Sequence, residues 1–408
     1  VGIVEEEAFL TIAATGEAWV LDGDTRKRLT RVTDTSLVLE CRRAGSQVGW
    51  SLGDHSGSAA SVVLEPVDPR HRVHREGREY RGEFMVRPTP EGAGLTLINN
   101  IDLENYLKGV VPWEIGRHDR DKLAAVEAQA VAARTYTMSH LGARKSRGFD
   151  LFASVMDQVY KGSSDEDPLC NEAIANTAGM VLMYEGEEIE AYYSACCGGT
   201  STNIGEVWAR GNRGYLSSRE DGPGPDGEAF CRSSRHFHWR TTWTAGRLEE
   251  ILQKTLPEYV ARMTEPSRRD WAGHVFSPND SASDVNRPGR LYGIDILSRT
   301  TSGRVAHMTV TTEAGVYHVK GDRTRWVLAP ADGNPFILRS ARFNLELVRE
   351  GNRLVEIGAR GRGFGHGIGM CQTGALGRAA AGQDVKTILG HYYPDAKLVH
   401  VSDGEGGS

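Results

Sequence analysis

The first 95 residues alternate apolar and polar positions between Gly, Asp and Pro residues that break the pattern. The clearest stretches are TIAATGEAWVLDGDT (11–25), SLVLECRR (36–43) and SAASVVLEP (58–66). A period of two, with β-branched residues between turn residues, is typical of strands. We therefore predict a β-rich N-terminal module over residues 1–95.

A helical pattern follows in RDKLAAVEAQAVAARTYTMSHLG (120–142). Apolar residues recur at spacings of three and four, an Asp at position 119 or 121 can cap the start, and Gly142 can end the helix. Its many alanines favour a helix and let another backbone approach closely, so we predict a central, buried helix. PLCNEAIANTAG (168–179) predicts a second one.

The rest of the chain mixes both kinds of element. MVLMYEGEEIEAYYSACCGG (180–199) looks like a hairpin that runs into a glycine turn, and strand-like alternation returns from about residue 292. Residues 219–290 are rich in Gly, Pro, Asp, Ser and Arg, with a short helical run at 247–256, and we interpret them as an excursion from one large domain over 96–400. Residues 401–408 are predicted to be a flexible tail. This order of elements indicates an α+β fold.

Composition excludes some classes of protein. The chain has 408 residues, of which 39% are hydrophobic and 25% are charged, as in ordinary soluble globular proteins. The formal net charge of −6 provides no global basic field, so nucleic acid is not an expected partner. No apolar run approaches the roughly 18 residues of a membrane span, so none is predicted.

The segment VVPWEI (110–115) places a carboxylate among apolar residues. Val110, Val111 and Trp113 would solvate the charged form of Glu114 poorly, which is the setting of a general acid in glycosidic cleavage. The alternative is a carboxylate at the start of a helix, facing water or the helix dipole.

Two long polar side chains, Gln129 and Arg134, interrupt the small-residue helix. A buried guanidinium needs hydrogen-bond acceptors. A substrate carboxylate, Glu114, or a partner in a structural ion pair would each supply them.

The segment YYSACCGGT (192–200) combines two chemistries. Tyr192, Tyr193 and Ser194 offer hydroxyls and aromatic faces that suit sugars. The cysteines that follow suggest zinc, but their spacing matches no standard zinc motif, and we favour free thiols or a disulfide to Cys231. We therefore predict no metal and no cofactor, with a weaker alternative zinc site made of Cys196, Cys197, Cys231 and His236.

The segment GRGFGHGIGMCQTGA (361–375) surrounds His366 with glycines that can adopt positive φ. It is not a phosphate-binding P-loop, because no Gly-Lys-Ser/Thr follows. On this pattern His366 is either structural or catalytic. Cys371 is either a nucleophile or an inert buried thiol, and we favour the latter.

Taken in order, these segments resemble the SpoIID/LytB domain family, whose sporulation member is a peptidoglycan lytic transglycosylase. The resemblance is carried by NNIDLENYLKGVVPWEI (99–115), AVEAQAVAARTYT (125–137), DQVYKG (157–162), EAYYSACCGGTSTNIGEVW (190–208), SGRV (302–305) and GRGFGHGIGMCQTGALGRAAAGQDVKTILGHYYPDAKL (361–398).

The resemblance implies that Glu114 is the catalytic acid of an exported cell-envelope enzyme. Such an enzyme cuts the β-1,4 bond between N-acetylmuramic acid and N-acetylglucosamine, in glycan strands stripped of stem peptides, and leaves 1,6-anhydro ends. The resemblance also implies a long substrate groove. We expect the following residues to bind substrate there: Arg134, Gln129, Gln158, Tyr160, Tyr193, Ser194, His366 and Gln372.

The chain departs from the family pattern at two places. Adjacent Cys196 and Cys197 stand where many relatives have Ser, Thr or a single Cys, and the zinc found with some members needs His ligands that this sequence does not place nearby. No metal is therefore carried over. Ile115 replaces the usual methionine, a change that conserves volume.

Two other functions compete with the transglycosylase. One is a non-catalytic wall-binding modifier that stimulates an N-acetylmuramoyl-L-alanine amidase. Some LytB-type relatives look like such modifiers. The other is a hydrolase that uses Cys371 and His366.

Overall fold

A computed structural model describes residues 1–33, 38–90, 92–208, 210–264, 275–280, 283–331, 333 and 336–401. The chain forms two compact units, Val1–Glu190 with the segment from Leu398 onward, and Ala191–Lys397. The predicted tail lies outside the described residues except for residue 401. No helix among the described residues is long and apolar enough to cross a bilayer.

The elements of the first unit follow its sequence pattern, with strands up to residue 100 and helices after it. They are β1 (Gly2–Glu7), β2 (Phe9–Ala14), β3 (Ala18–Asp22), β4 (Arg28–Val32), β5 (Leu39–Ala44), β6 (Gln47–Leu52), β7 (His55–Ala59), β8 (Val62–Pro66), β9 (Val73–Arg75), β10 (Arg78–Tyr80), β11 (Glu83–Pro88), β12 (Leu95–Asn100), α1 (Leu103–Glu114), α2 (Leu123–Ser139), α3 (Pro168–Asn176), β13 (Met180–Tyr184) and β14 (Glu187–Glu188).

In the second unit, strands and helices are interspersed along the chain, which then returns to the first unit. The elements are β15 (Tyr193–Ser194), α4 (Ile204–Val207), β16 (His238–Thr244), α5 (Ala245–Thr264), β17 (Phe276–Pro278), β18 (Leu291–Arg299), β19 (Val305–Thr312), β20 (Gly315–Lys320), α6 (Arg323–Val327), β21 (Phe343–Glu350), β22 (Arg353–Arg362), β23 (Met370–Cys371), α7 (Gln372–Ala380), α8 (Val385–Tyr392) and finally β24 (Lys397–His400).

Two six-stranded sheets form the N-terminal part of the first unit, in the orders β1-β12-β11-β8-β3-β4 and β10-β9-β2-β5-β6-β7. β8 lies between β3 and β11, and its Val62, Val63 and Leu64 are fully buried. β11 adds Phe84 opposite Leu64. The α+β prediction and its β-rich beginning are confirmed, because the strands of these two sheets precede the first described α-helix.

Helix α2 is the buried helix that its alanines predict. Every residue from Ala128 to Thr137 is buried, and α2 packs against α1, α3 and β13. The helix is shorter than the pattern: residues 120–122 form a 3₁₀ turn, and α2 ends at Ser139, before Gly142.

Helix α1 was not predicted. The Asp102 carboxylate caps it by accepting the N–H of Asn105, and Tyr106, Leu107 and Val110 are buried against the rest of the unit. Gly109 and Pro112 lie inside α1, and both are weak helix formers. Tertiary packing therefore stabilises a helix that local propensity does not indicate.

In the second unit, sheets β16-β22-β21 and β17-β20-β19-β18 share an apolar core with α5. Part of the predicted excursion, residues 219–290, contributes to this core. It supplies β16 and α5, whose Trp243, Leu248 and Leu252 are buried. The predicted helical run at 247–256 forms part of α5.

Candidate active site

Glu114 is the last residue of α1 and is partly buried. Val110 and Val111 point into the core of the unit, whereas Trp113 is 43% exposed. The carboxylate therefore lies where a helix meets the surface. It is not at the start of a helix, as one interpretation of the sequence had it, and the N-terminal dipole does not stabilise it.

A loop from residue 157 to 162 holds the Glu114 carboxylate. The backbone N–H of Val159 donates to Glu114 Oε1 over 2.7 Å. Gln158 and Tyr160, on either side, are almost fully buried. Gln158 donates to the Thr137 hydroxyl at 2.8 Å, and the Tyr160 hydroxyl donates to Asn99 Oδ1 at 2.6 Å. The two side chains therefore fix the loop that presents Val159.

Close packing of this loop on α1 depends on two glycines. A Cβ on Gly109 would lie 2.5 Å from Tyr160 Cε2 and 2.6 Å from the Gly162 carbonyl oxygen. Gly162 itself has φ of +74°, and a Cβ there would lie 2.2 Å from the Glu79 carbonyl oxygen. Neither position has room for a side chain.

Tyr106 lies between the loop and α2. Gln158 donates to its hydroxyl over 3.3 Å. Burial raises the pKa of Tyr106, and the nearby charge of Glu114 raises it further, so the phenol stays protonated. Glu114 therefore has a neutral polar neighbour on its buried side.

Arg134 pairs with Glu104 of α1. Its Nε and Nη2 atoms donate to the two Glu104 carboxylate oxygens over 2.7 and 2.8 Å. Further hydrogen bonds go to the carbonyls of Met180 and Ile174. The Arg134 side chain is 1% exposed and links α1, α2, α3 and β13. This arrangement is the structural ion pair that was one of the alternatives from the sequence. A substrate-binding role for Arg134, and for the buried Gln129, stays a prediction.

The remaining predicted binding residues lie in the second unit. Strand β15 pairs in parallel with β23, with Ser194 opposite Cys371. A Cβ on Gly365 would lie 2.7 Å from Ser194 Cβ, so the glycine loop packs closely on β15. Four of the loop glycines have positive φ, as predicted: Gly363, Gly365, Gly367 and Gly369. Tyr193, Ser194, His366 and Gln372 therefore belong to one local arrangement of β15, the loop and the start of α7.

His366 is a neutral imidazole in this arrangement. Its Nδ1 atom accepts the N–H of Ile368 at 3.0 Å, which places the ring proton on Nε2. The Trp208 ring lies 5.0 Å from it. Burial lowers the pKa of His366 to about 4. At neutral pH the ring is therefore not the imidazolium cation that would act as an acid. Cys371 is fully buried, which removes it from any substrate and disfavours a Cys/His hydrolase.

Sequence reasoning missed Trp113 as a functional residue. Its ring is exposed beside Glu114, and the Arg78 guanidinium lies 5.9 Å from the ring centroid. Exposed aromatic rings suit the apolar faces of sugars. The signal was present in VVPWEI, but it was interpreted only as an apolar neighbour of the carboxylate.

The fold and this site define an α+β protein with a carboxylate that a buried loop fixes at the end of a helix. A family model described as Stage II sporulation protein matches residues 91–184, and a domain of unknown function, DUF8618, matches residues 277–369. The family match over residues 91–184 and the names of curated relatives confirm the resemblance to the SpoIID/LytB family.

Curated relatives are similar over most of the chain. An uncharacterized protein of Brachyspira hyodysenteriae is 27% identical over 90% of this chain and 82% of its own length. The amidase enhancer of Bacillus subtilis is 29% identical over 84% of this chain, which spans only 47% of that protein. Stage II sporulation protein D of Bacillus amyloliquefaciens is 27% identical over 80% of this chain and 84% of its own length.

Proposed function

We propose that the chain is a peptidoglycan lytic transglycosylase that uses Glu114 as its single acid and base. Its substrate would be the β-1,4 bond from N-acetylmuramic acid to N-acetylglucosamine in strands stripped of stem peptides. One observation carries the proposal: Glu114 is a partly exposed carboxylate whose Oε1 atom is held by a backbone N–H from the rigid 157–162 loop.

The hydrogen bond from Val159 sets the position of the acidic proton. A backbone N–H can only donate, so Glu114 Oε1 must act as the acceptor. When the acid is neutral, its proton is therefore on Oε2. Holding the carboxyl in one orientation with a known proton position is what a general acid requires.

The same carboxyl can complete both proton transfers. Glu114 gives its proton to the bridging oxygen as the bond to C1 of the muramic acid breaks and N-acetylglucosamine leaves. The resulting carboxylate takes the proton of the C6 hydroxyl while that oxygen attacks C1. Glu114 ends protonated, the product has a 1,6-anhydro end, and no water or second carboxylate enters the reaction.

Binding would use the exposed face of Trp113 next to the acid. Tyr193, Ser194 and Gln372 are proposed to contact sugar hydroxyls and acetamido groups. His366 would serve only as a neutral hydrogen-bonding group, because its pKa of about 4 keeps it unprotonated. The long substrate groove that the resemblance implies stays a prediction.

The test is a digest of intact and peptide-stripped peptidoglycan by wild type, Glu114→Gln and Glu187→Gln. The glutamine amide oxygen can still accept from Val159, so Glu114→Gln keeps the fold and removes the proton. We expect a loss of about 10²–10⁴-fold in the release of anhydro ends, read by mass spectrometry. Glu187 is an exposed carboxylate in β14 of the same unit, and its variant should match wild type. Undiminished cleavage by Glu114→Gln would exclude Glu114 as the acid.

A second candidate function follows from the relative named amidase enhancer. In that case the chain would bind cell wall and stimulate an N-acetylmuramoyl-L-alanine amidase without cutting glycan itself. The same digest, repeated with such an amidase, separates the two functions. Faster amidase action with no anhydro ends from any variant would favour the modifier. Both functions place the chain in the cell envelope or outside the cell.

A further inference from the structure

Four cysteines that are far apart in the sequence meet in the second unit. Cys196 and Cys197 come from the turn after β15, Cys231 from a 3₁₀ turn at Phe230–Ser233, and Cys371 from β23. All four are buried. The Sγ atoms of Cys197, Cys231 and Cys371 lie within 4.8 Å of one another, and the Cys196 Sγ atom lies 3.9 Å from the Cys231 carbonyl oxygen.

The distances between these sulfur atoms fit a metal better than a disulfide. The Sγ atoms of Cys197 and Cys231 are 3.7 Å apart. Around a tetrahedral zinc ion with Zn–S bonds of about 2.3 Å, neighbouring sulfurs are about 3.8 Å apart. A disulfide would join one pair at about 2 Å. A disulfide between Cys197 and Cys231 would leave Cys371 beside a bond that it cannot join, whereas one ion is shared by all four.

Backbone groups around the cluster favour thiolates. Cys371 precedes α7, and its Sγ atom accepts the N–H of Cys197 at 3.1 Å and of Gly374 at 3.4 Å. Two N–H donors and a helix N-terminus stabilise negative charge on that sulfur. The buried Arg304 guanidinium adds positive charge, donating to the Cys197 carbonyl over 3.0 Å.

A buried carboxylate, Asp221, lies against this cluster. One carboxylate oxygen of Asp221 and the Sγ atoms of Cys197, Cys231 and Cys371 all lie within 4.8 Å of one another. Both Asp221 oxygens already accept hydrogen bonds, Oδ2 from the Cys231 N–H at 3.0 Å and Oδ1 from the Tyr392 hydroxyl at 2.5 Å. Such a carboxylate orients a ligand-bearing backbone, so we assign it a supporting role.

We propose that Cys196, Cys197, Cys231 and Cys371 bind one structural zinc ion, with Asp221 supporting the Cys231 backbone. Four thiolates close the coordination sphere, which is typical of structural sites. His236, the fourth ligand of the weaker sequence alternative, is not in the group, and its Nε2 atom instead accepts from Arg235. Sequence spacing does not reveal this group of residues, because Cys371 and Asp221 reach it only through tertiary structure.

The ion would fix the segments that carry the predicted sugar-binding residues. Ser194 is two residues before Cys196 and opposite Cys371, and Gln372 follows Cys371 directly. Zinc would therefore hold β15, the 3₁₀ turn and the start of α7 as one rigid element. This role does not depend on which of the two proposed functions is correct.

The test is the zinc content of the full chain, purified from medium containing zinc chloride and dialysed without chelator. We expect one zinc per chain by mass spectrometry of the metal, and X-ray absorption that fits four sulfurs at about 2.3 Å. Cys231→Ser and Cys196→Ser should lose the metal. Cys170→Ser is the matched control, since Cys170 is a buried cysteine of the first unit and should leave the zinc content unchanged.

Wild type alone decides the question if the cysteine variants fail to fold. A wild-type chain without zinc, with these four cysteines protected from alkylation as disulfides, would overturn the proposal. Full zinc content in Cys196→Ala, which introduces no oxygen, with three sulfurs and one oxygen around the ion would overturn the ligand set in favour of Asp221. Every readout is independent of glycan cleavage.

Discussion

Gly109 tests how the site is built, because a methyl group there must displace the loop that holds Glu114. In Gly109→Ala the new Cβ would lie 2.5 Å from Tyr160 Cε2. Carbon atoms in contact are normally separated by about 3.5 Å or more, so the Tyr160 ring must retreat by about 1 Å. Tyr160 is held to Asn99 at 2.6 Å, so the loop, and with it the Val159 N–H, moves as well.

Stability and activity should respond differently to this change. Alanine favours a helix interior over glycine by about 1 kcal/mol, whereas overpacking costs about 1–3 kcal/mol, so the net loss of unfolding free energy should be about 0–2 kcal/mol. A displacement of about 1 Å at a catalytic group can cost about 10²-fold in rate. We therefore expect activity to fall much further than stability.

Urea unfolding, release of anhydro ends from stripped glycan, and hydrogen exchange of the Val159 amide measure the three consequences. Gly390→Ala is the matched control: Gly390 lies in α8, is exposed and has no atom near the added Cβ. It should gain up to about 1 kcal/mol in stability with unchanged activity. A Gly109→Ala protein that gains the same stability, stays fully active and keeps a slowly exchanging Val159 amide would refute the packing argument.

Two further changes test the ion pair and the neutral histidine. Arg134→Ala and Glu104→Gln should each lower the unfolding free energy by about 3–5 kcal/mol. The first empties a buried site and leaves the Met180 and Ile174 carbonyls without this donor, and the second leaves the buried guanidinium without its counter-charge. Small losses in urea unfolding would contradict this. The pKa of His366 is lowered from 6.5 to about 4, so the unfolded chain binds a proton there that the folded chain does not. The contribution of His366 to the unfolding free energy is complete above pH 6.5 and falls by up to about 3 kcal/mol as the pH drops towards 4. Between pH 7 and 4.5, the urea concentration at the unfolding midpoint should therefore decrease less in His366→Gln than in wild type. The same pH dependence in both proteins would exclude this role.

The elements that the sequence predicts well are those whose pattern is local. Strand β8 follows from its run of β-branched and apolar residues between turn residues, and the buried helix α2 follows from its many alanines. Helix α1 is not predicted by local pattern, because Gly109 and Pro112 are weak helix formers. Gly109 is nevertheless needed, because the packing of the 157–162 loop on α1 leaves no room for a side chain there.

The candidate site divides in the same way. Position 114 is found by resemblance, and the apolar pattern correctly indicates that Val110 and Val111 are buried, but it does not indicate that Trp113 is 43% exposed. Helical spacing places Arg134 on a face of α2 but does not identify Glu104 as its partner. Likewise, no spacing rule relates Cys196 to Cys371, because their proximity comes from the pairing of β15 with β23.

The last strand gives the first unit an unusual order of assembly. β13 lies between β14 and β24 in one sheet, and Val401 donates its N–H to the Gly179 carbonyl at 2.8 Å. All of Ala191–Lys397 is synthesised between these partners. At about 5–20 residues per second, that takes roughly 10–40 s on the ribosome. For that interval one edge of β13 lacks its partner strand β24, which leaves this edge open to wrong pairing or to a chaperone.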